Sequence, residues 1–254
     1  MLVPSRTLLS MIDWASVCCA GPGENSRFIL ESVLFEHQGD RLWLVATDGR
    51  RMASESTAVS GDSSYQMPKD TLLSVRALKC LRRLIVGSDP ESEVAIYHTG
   101  TSLMFSIEET VVLCRQMEGR HVHWRKVIDK NKSAEHTIEI LVGTFVSAIN
   151  QASITADDEP RSVILSFGAE TCIVHTSEGE HGDSRAEFPI PPESGRNVSM
   201  RVNSVFLMQT LRQIDSESLI SVSVTDSVTD SSFPLIIDAP GDRCYFLMPM
   251  EFTR

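Results

Sequence analysis

A helix-forming stretch followed by three strand-forming stretches recurs four times along these 254 residues. A repeat of that size dictates architecture more firmly than any single motif. Residues 5–19 (SRTLLSMIDWASVCC) place Leu8, Leu9, Ile12, Ala15 and Cys19 at helical spacing, with Ser5 suited to cap the first turn. Strand-like runs follow at 27–37, 41–47 and 50–58, separated by the turn signals QGD and DG. The order restarts with an extended YQM at 65–67, Pro68 at the head of a helix running to about 85, and strands at 92–98, 102–107 and 110–117. HTIEI (136–140) opens a third copy, with a helix near 143–154 and strands 162–167, 170–177 and 184–190. VSMRV (198–202) opens the fourth, with a helix at 203–214 and strands 219–225, 232–238 and 243–249.

One helix over three or four strands cannot bury its own sheet, so the copies must pair. The expected fold is α+β: two domains, each a pair of βαβββ-like units with sheets outside and helices on one face. The least hydrophobic connector, IDKNKSAE (128–135), places the boundary so that the domains span 1–129 and 130–254.

The chain carries 23 basic and 34 acidic residues, a formal net charge of −11. That balance excludes a protein coated in phosphate-binding charge but not a local basic face. The second helical stretch is such a face: Lys69, Arg76, Lys79, Arg82 and Arg83 stand against Asp70, a net of +4. Arg76, Lys79 and Arg83 fall at i, i+3 and i+7, on one side of a helix. A solvated amphipathic helix and a phosphate-facing surface are both compatible with that spacing.

The six cysteines form no C-x-x-C pair, and most lie in apolar runs (VVLC, TCIV, CYFL), where a thiol acts as a small hydrophobe. Vicinal Cys18 and Cys19 read as a helix end, with redox sensitivity as the alternative. No apolar run reaches the roughly 20 residues of a membrane span, and the N-terminal stretch lacks a small-residue cleavage site, so a cytoplasmic chain is expected.

Catalytic signatures are missing: the chain has no P-loop, G-x-S-x-G or H-E-x-x-H. GPGENS (21–26) reads as a loop and GEHGD (179–183) as a polar turn. His121 and His123 in RHVHW lack an obvious third ligand and read as solvent-facing. Asp157, Asp158 and Glu159 point in different directions and read as a solvated loop. The expectation is a non-catalytic protein with no cofactor and no metal.

Three segments add a specific resemblance. VATDGRRMA (45–53), MEGRHVHWRKVI (117–128) and CYFLMPMEF (244–252) resemble, in order and spacing, signature segments of the bacterial DNA sliding clamp, the β subunit of DNA polymerase III. The likeness covers the family's middle and C-terminal domains, without the N-terminal one. In that family, subunits close head to tail into a ring of six domains around duplex DNA, with helices lining the hole. Two domains per chain then imply a homotrimer, a geometric inference that holds if the head-to-tail rotation closes. The resemblance implies a processivity factor that tethers a DNA polymerase or repair enzyme and is handled by a clamp loader. Lys69, Arg76, Lys79, Arg82 and Arg83 would face the DNA, touching phosphates without reading bases.

The resemblance also implies an apolar pocket between middle and last domains that takes a short partner peptide. Its members here would be Leu30, Thr47, Gly49, Arg50, Arg51, Met52, Val122, Lys126, Val127, Phe246, Leu247, Met248, Pro249 and Met250. Methionines and aliphatics adapt to varied side chains, and rim basic groups can donate to peptide carboxylates or carbonyls. The alternative for Leu30 and Val127, both in strand-like runs, is domain core; for Gly49 it is a hairpin turn that needs positive φ. Val122 stands where the family usually has Pro, Lys126 where Arg is common, and Glu251 where a basic residue is usual. Ile154 and Thr155 match a region of apolar ring contacts, with Thr155 polar where leucine is expected. Two alternatives stay open: a clamp-derived monomer that binds such peptides without encircling DNA, and, behind it, an enzyme using the Asp157–Glu159 or His121/His123 groups.

Overall fold

In the computed structural model, the described residues are 1–21, 28–61, 67–131, 136–156, 161–176, 182–192, 198–225 and 233–251. Residues 22–26 of GPGENS, Asp157–Glu159 and residues 179–181 of GEHGD lie outside them. The chain forms two compact units, Met1–Trp124 with Gly241–Arg243, and Arg125–Pro240 with Cys244–Arg254.

The first unit contains β1 (Leu2–Pro4), α1 (Ser5–Ser16), β2 (Ser32–Gln38), β3 (Arg41–Thr47), β4 (Arg51–Ala58), β5 (Thr71–Ser74), α2 (Val75–Gly87), β6 (Glu93–His98), β7 (Ser102–Ile107) and β8 (Thr110–Arg115). After α3 (Trp124–Asn131), the second runs β9 (His136–Leu141), α4 (Val142–Ala152), β10 (Ser162–Phe167), β11 (Thr171–Thr176), β12 (Ser184–Pro189), β13 (Val198–Asn203), α5 (Ser204–Leu211), β14 (Leu219–Val224), β15 (Leu235–Ala239) and β16 (Arg243–Leu247). Each copy is therefore β-α-β-β-β. The four repeat helices begin at Ser5, Val75, Val142 and Ser204, a more even spacing than the sequence pattern indicated.

The pairing of copies has a concrete form, because each lends its first strand to the other. Strand β1 pairs antiparallel with β6 in the order β1-β6-β7-β8, and β5 pairs with β2 in the run β5-β2-β3-β4. The second unit repeats the exchange: β13 joins β10 in β12-β11-β10-β13, and β9 joins β14 in the run β16-β15-β14-β9. Neither copy can complete a sheet alone.

Burial follows the periodicity. Helix α1 turns Leu8, Met11, Ile12, Trp14 and Ala15 inward, and the Trp14 Nε1–H donates to the Ser54 carbonyl in β4 at 3.1 Å. Phe35 of β2 and Phe105 of β7 meet edge to face, with centroids 6.0 Å apart, so side chains of both sheets share one core. Each such buried ring is worth about 1.5–3 kcal/mol relative to exposure. In the second unit Phe145 of α4 packs on Phe188 of β12, and the Tyr245 hydroxyl donates to the Phe206 carbonyl at 3.3 Å.

Several local expectations change. Helix α2 starts at Val75 rather than Pro68: Thr71–Ser74 is the exchanged strand, and the Ser74 side chain accepts from the Ala77 N–H to cap the helix. Ser5 is inside α1, its Oγ 2.7 Å from Ser92 Oγ, and makes no cap. The run 27–37 begins as a 3-10 turn, Phe28–Glu31, before β2. Helix α3 lies where the pattern showed only a connector, and the cut at 129/130 falls inside it.

Candidate partner-binding and DNA-facing residues

The β3–β4 turn carries the first cluster. Thr47 pairs with Met52 in the ladder, so four residues must reverse the chain. Asp48 organises them: its Oδ1 accepts from the N–H of Arg50 (2.9 Å) and of Arg51 (3.0 Å). Its Oδ2 accepts from Arg51 Nε at 2.9 Å. Thr47 Oγ1 donates to the Arg51 carbonyl at 2.7 Å and accepts from the Gly49 N–H at 3.1 Å. Gly49 sits at φ 88°, a region where a side chain would be strained. The result is a stiff turn presenting Gly49 and Arg50 to solvent. Arg51, expected at a rim, is instead buried, with 6% of its side chain exposed. It braces the turn.

Thr47, Met52 and Leu30 are likewise buried, whereas Val122 is exposed. Leu30 lies in the 3-10 turn rather than a strand. In the second unit, Lys126 and Val127 are exposed on α3, so Val127 is helical rather than strand core. Phe246 and Leu247 end β16 and are buried. Met248 is exposed, and Pro249 and Met250 are half-buried. The Met250 N–H donates to the Arg201 carbonyl at 2.7 Å, which anchors the strand's exit. Of the fourteen residues, six are buried and eight are reached by solvent.

The basic residues also divide. Arg76, Lys79 and Arg83 are exposed on α2. Arg82 is held by Asp13 of α1, with Nε to Oδ1 at 2.6 Å and Nη2 to Oδ2 at 3.0 Å. That bidentate pair joins the two helices of the unit. Lys69 is exposed in the turn before β5, off the helix, next to Asp70 at φ 59°.

Other titratable groups are structural. His121, expected to face solvent, is buried; its backbone N–H donates to Asp70 Oδ1 at 3.1 Å, and burial lowers the imidazole's pKa. His123 is exposed. No group of three or more His, Cys, Asp or Glu among the described residues is placed to hold a metal. Cys18 and Cys19 follow the end of α1; burial pushes the Cys19 thiol up to about 12 and Cys18 in the same direction, so both stay protonated at neutral pH. Glu55 of β4 is buried, and burial raises it to about 7, although Arg243 Nε lies 3.1 Å from its Oε2 and pulls the other way. Among the described residues, no helix is long and apolar enough to cross a membrane.

Comparison with known proteins accounts for both units. Residues 3–122 match the model of the DNA polymerase III β subunit central domain, and residues 125–251 that of its C-terminal domain. The β sliding clamp of Haemophilus influenzae is 26% identical over 253 residues, covering 98% of this chain and 64% of that protein. That of Escherichia coli K12 is 25% identical over 252 residues, with the same coverage. The chain thus spans a little under two thirds of these relatives. The DNA polymerase sliding clamp structure from Pseudomonas aeruginosa superposes with a TM-score of 0.88 at 19% identity, over 99% of this chain and 66% of that one. With both units matched in order to adjacent domains of one subunit, the chain belongs to the DNA polymerase III β subunit family of sliding clamps.

Proposed function

We propose that this chain is a non-catalytic DNA sliding clamp, which encircles duplex DNA and tethers a polymerase or repair enzyme by a short peptide. The observation that carries the reading is segregated charge: Arg76, Lys79 and Arg83 stand exposed on one helix of a chain whose net charge is −11. Exposed, salt-screened contacts to phosphate hold DNA loosely and let a protein slide, while topology does the retaining. Arg82 contributes less to that surface because Asp13 neutralises it. Six domains at two per chain need three copies, so the assembly is a homotrimer of three times 28.1 kDa, 84.3 kDa. A clamp loader opens it.

The peptide contacts fall to the solvent-reached members of the carried-over set: Gly49, Arg50, Val122, Lys126, Val127, Met248, Pro249 and Met250. Met248 and Met250 are pliable apolar groups suited to more than one partner. The test is fluorescence polarisation with a labelled clamp-binding peptide from a bacterial polymerase. The wild-type chain should bind it, and Met248→Glu with Met250→Glu should weaken binding at least tenfold. Equal affinity in both proteins would remove these residues from the site.

A further inference from the structure

The sheet β1-β6-β7-β8 turns one face to the core of the first unit, where Val94, Ile96, Leu103, Phe105 and Ile107 are buried. Antiparallel sheets with one solvated face normally alternate apolar inward and polar outward. This one does not. Read across the strands, Leu2, Ala95, Ser106 and Val111 form one outward row, and Tyr97, Met104 and Leu113 form the next. Only Ser106 and the Tyr97 hydroxyl interrupt an apolar surface. Tyr97 is 45%, Val111 59% and Leu113 63% exposed.

The second unit supplies a comparison within the same chain. On the solvent face of β12-β11-β10-β13, one row is Arg185, His175, Ile164 and Arg201, and the next is Glu187, Ile173, Ser166 and Ser199. Charged and hydroxyl groups dominate there, so the fold itself does not require an apolar face. Contiguous exposed apolar surface of this kind marks a contact site for another molecule.

Charge at the two ends of the face narrows what that molecule is. Glu93 continues the outward column of β6 above Ala95 and Tyr97, and Glu108 and Glu109 are the two turn residues between β7 and β8 at the same end. All three are exposed. Glu108 Oε1 accepts the backbone N–H of Asp89 at 2.8 Å, which places a further acid close by. Arg6 answers Glu91 at 3.4 Å, whereas Glu93 and Glu109 have no basic partner among the described residues. At the opposite end β8 closes on the exposed Arg115. Nucleic acid and anionic lipid are repelled by such an acidic end. A second copy laid on this face by a two-fold axis would bring one Arg115 to three glutamates and leave most of that charge uncompensated.

We infer that this face docks a basic amphipathic helix of a partner protein, with apolar side chains over Tyr97, Met104, Leu113 and Val111 and Lys or Arg residues over Glu93 and Glu109. Helical residues at i, i+3 and i+4 stand about 5–6 Å apart, which suits both the roughly 4.8 Å between neighbouring strands and the roughly 6.6 Å from Val111 to Leu113. The face lies on a different sheet from Thr47 and Met52, so it is a second contact, separate from the proposed peptide pocket, and it requires no ring.

The test is selection of a phage-displayed library of random peptides on the full chain carrying Met248→Glu and Met250→Glu, which removes the proposed pocket from competition. Enriched peptides should share apolar residues at helical spacing and a cluster of Lys or Arg at one end, and synthetic copies should bind the wild-type chain in fluorescence polarisation. Tyr97→Ser with Leu113→Ser should weaken them at least tenfold while keeping the wild-type circular dichroism spectrum. Glu93→Lys with Glu109→Lys should weaken them as much, and a selection repeated on that variant should turn the enriched charge acidic. Should the serine variant lose the wild-type spectrum, the lysine variant alone decides. An empty selection, enriched peptides that are neutral or acidic, or peptides whose affinity survives these substitutions would overturn the inference. A wild-type mass by light scattering that falls on Tyr97→Ser with Leu113→Ser would assign the face to a second copy and overturn it too.

Discussion

Asp48 carries more of the β3–β4 turn than any neighbour, and its removal has a calculable cost. It accepts two backbone N–H groups and the Nε of a guanidinium whose side chain is 6% exposed. Hydrogen bonds to a charged group contribute about 1.5–3 kcal/mol each, and stripping a partner from a buried charge costs about 3–5 kcal/mol. Arg51 keeps further interactions, so losing its carboxylate partner falls at the lower end, about 3 kcal/mol. Asp48→Asn loses that partner and turns an amide N–H towards the Arg51 Nε–H, but its amide oxygen still accepts both backbone N–H groups, so its cost is about 3 kcal/mol. Asp48→Ala also strands those two N–H groups at about 1 kcal/mol each, about 5 kcal/mol in all. With a urea m-value of about 2 kcal/mol/M, the first unit's unfolding midpoint should drop by about 2.5 M for Ala and about 1.5 M for Asn. Peptide affinity should fall in the same order, because the turn presents Gly49 and Arg50. An unchanged midpoint in Asp48→Ala, or an Asn variant as damaged as the Ala one, would refute the idea that this carboxylate organises the turn.

Glu55 should give the protein a pH-dependent stability of unusual sign for a carboxylate. Burial raises it from 4.5 to about 7, so between those values the folded chain binds a proton that the unfolded chain has lost. Its contribution is therefore full below about 4.5 and declines as pH rises through 7. Glu55→Gln should flatten the fall in melting temperature between pH 5 and 8; an identical slope would contradict the assignment. Converting Arg76, Lys79 and Arg83 to alanine should shallow the salt dependence of DNA binding by up to about 2.7 in log–log slope. An unaltered slope would take α2 off the DNA.

Legibility in the sequence tracked how local the information was. Strands β3, β7 and β10 are legible at their observed limits, because turn residues or alternating polarity bound each run. The exchanged strand β5 was absorbed into the helix that follows it: Thr71–Ser74 is four residues long, and its partner β2 lies some forty positions upstream. No periodicity distinguishes so short a run. The same limit applies to charge. Arg82 and Arg83 are adjacent, and only Asp13, 69 residues away, makes one a brace while the other stays exposed. Nothing in the run Arg50–Arg51 distinguishes a rim donor from a brace; only the fold of the turn pairs Arg51 with Asp48. Gly49 was the exception, since a D-G dipeptide signals positive φ by itself.

Encirclement is the claim on which the rest depends, and retention on closed DNA tests it most directly. The chain is loaded with a clamp loader onto a nicked circular plasmid, separated from free protein by gel filtration, and followed before and after a single restriction cut. The account predicts that protein co-elutes with the circle and leaves the DNA once ends are available. Co-elution that survives linearisation, or no co-elution while peptide binding persists, would contradict a ring and favour a monomeric peptide-binding module.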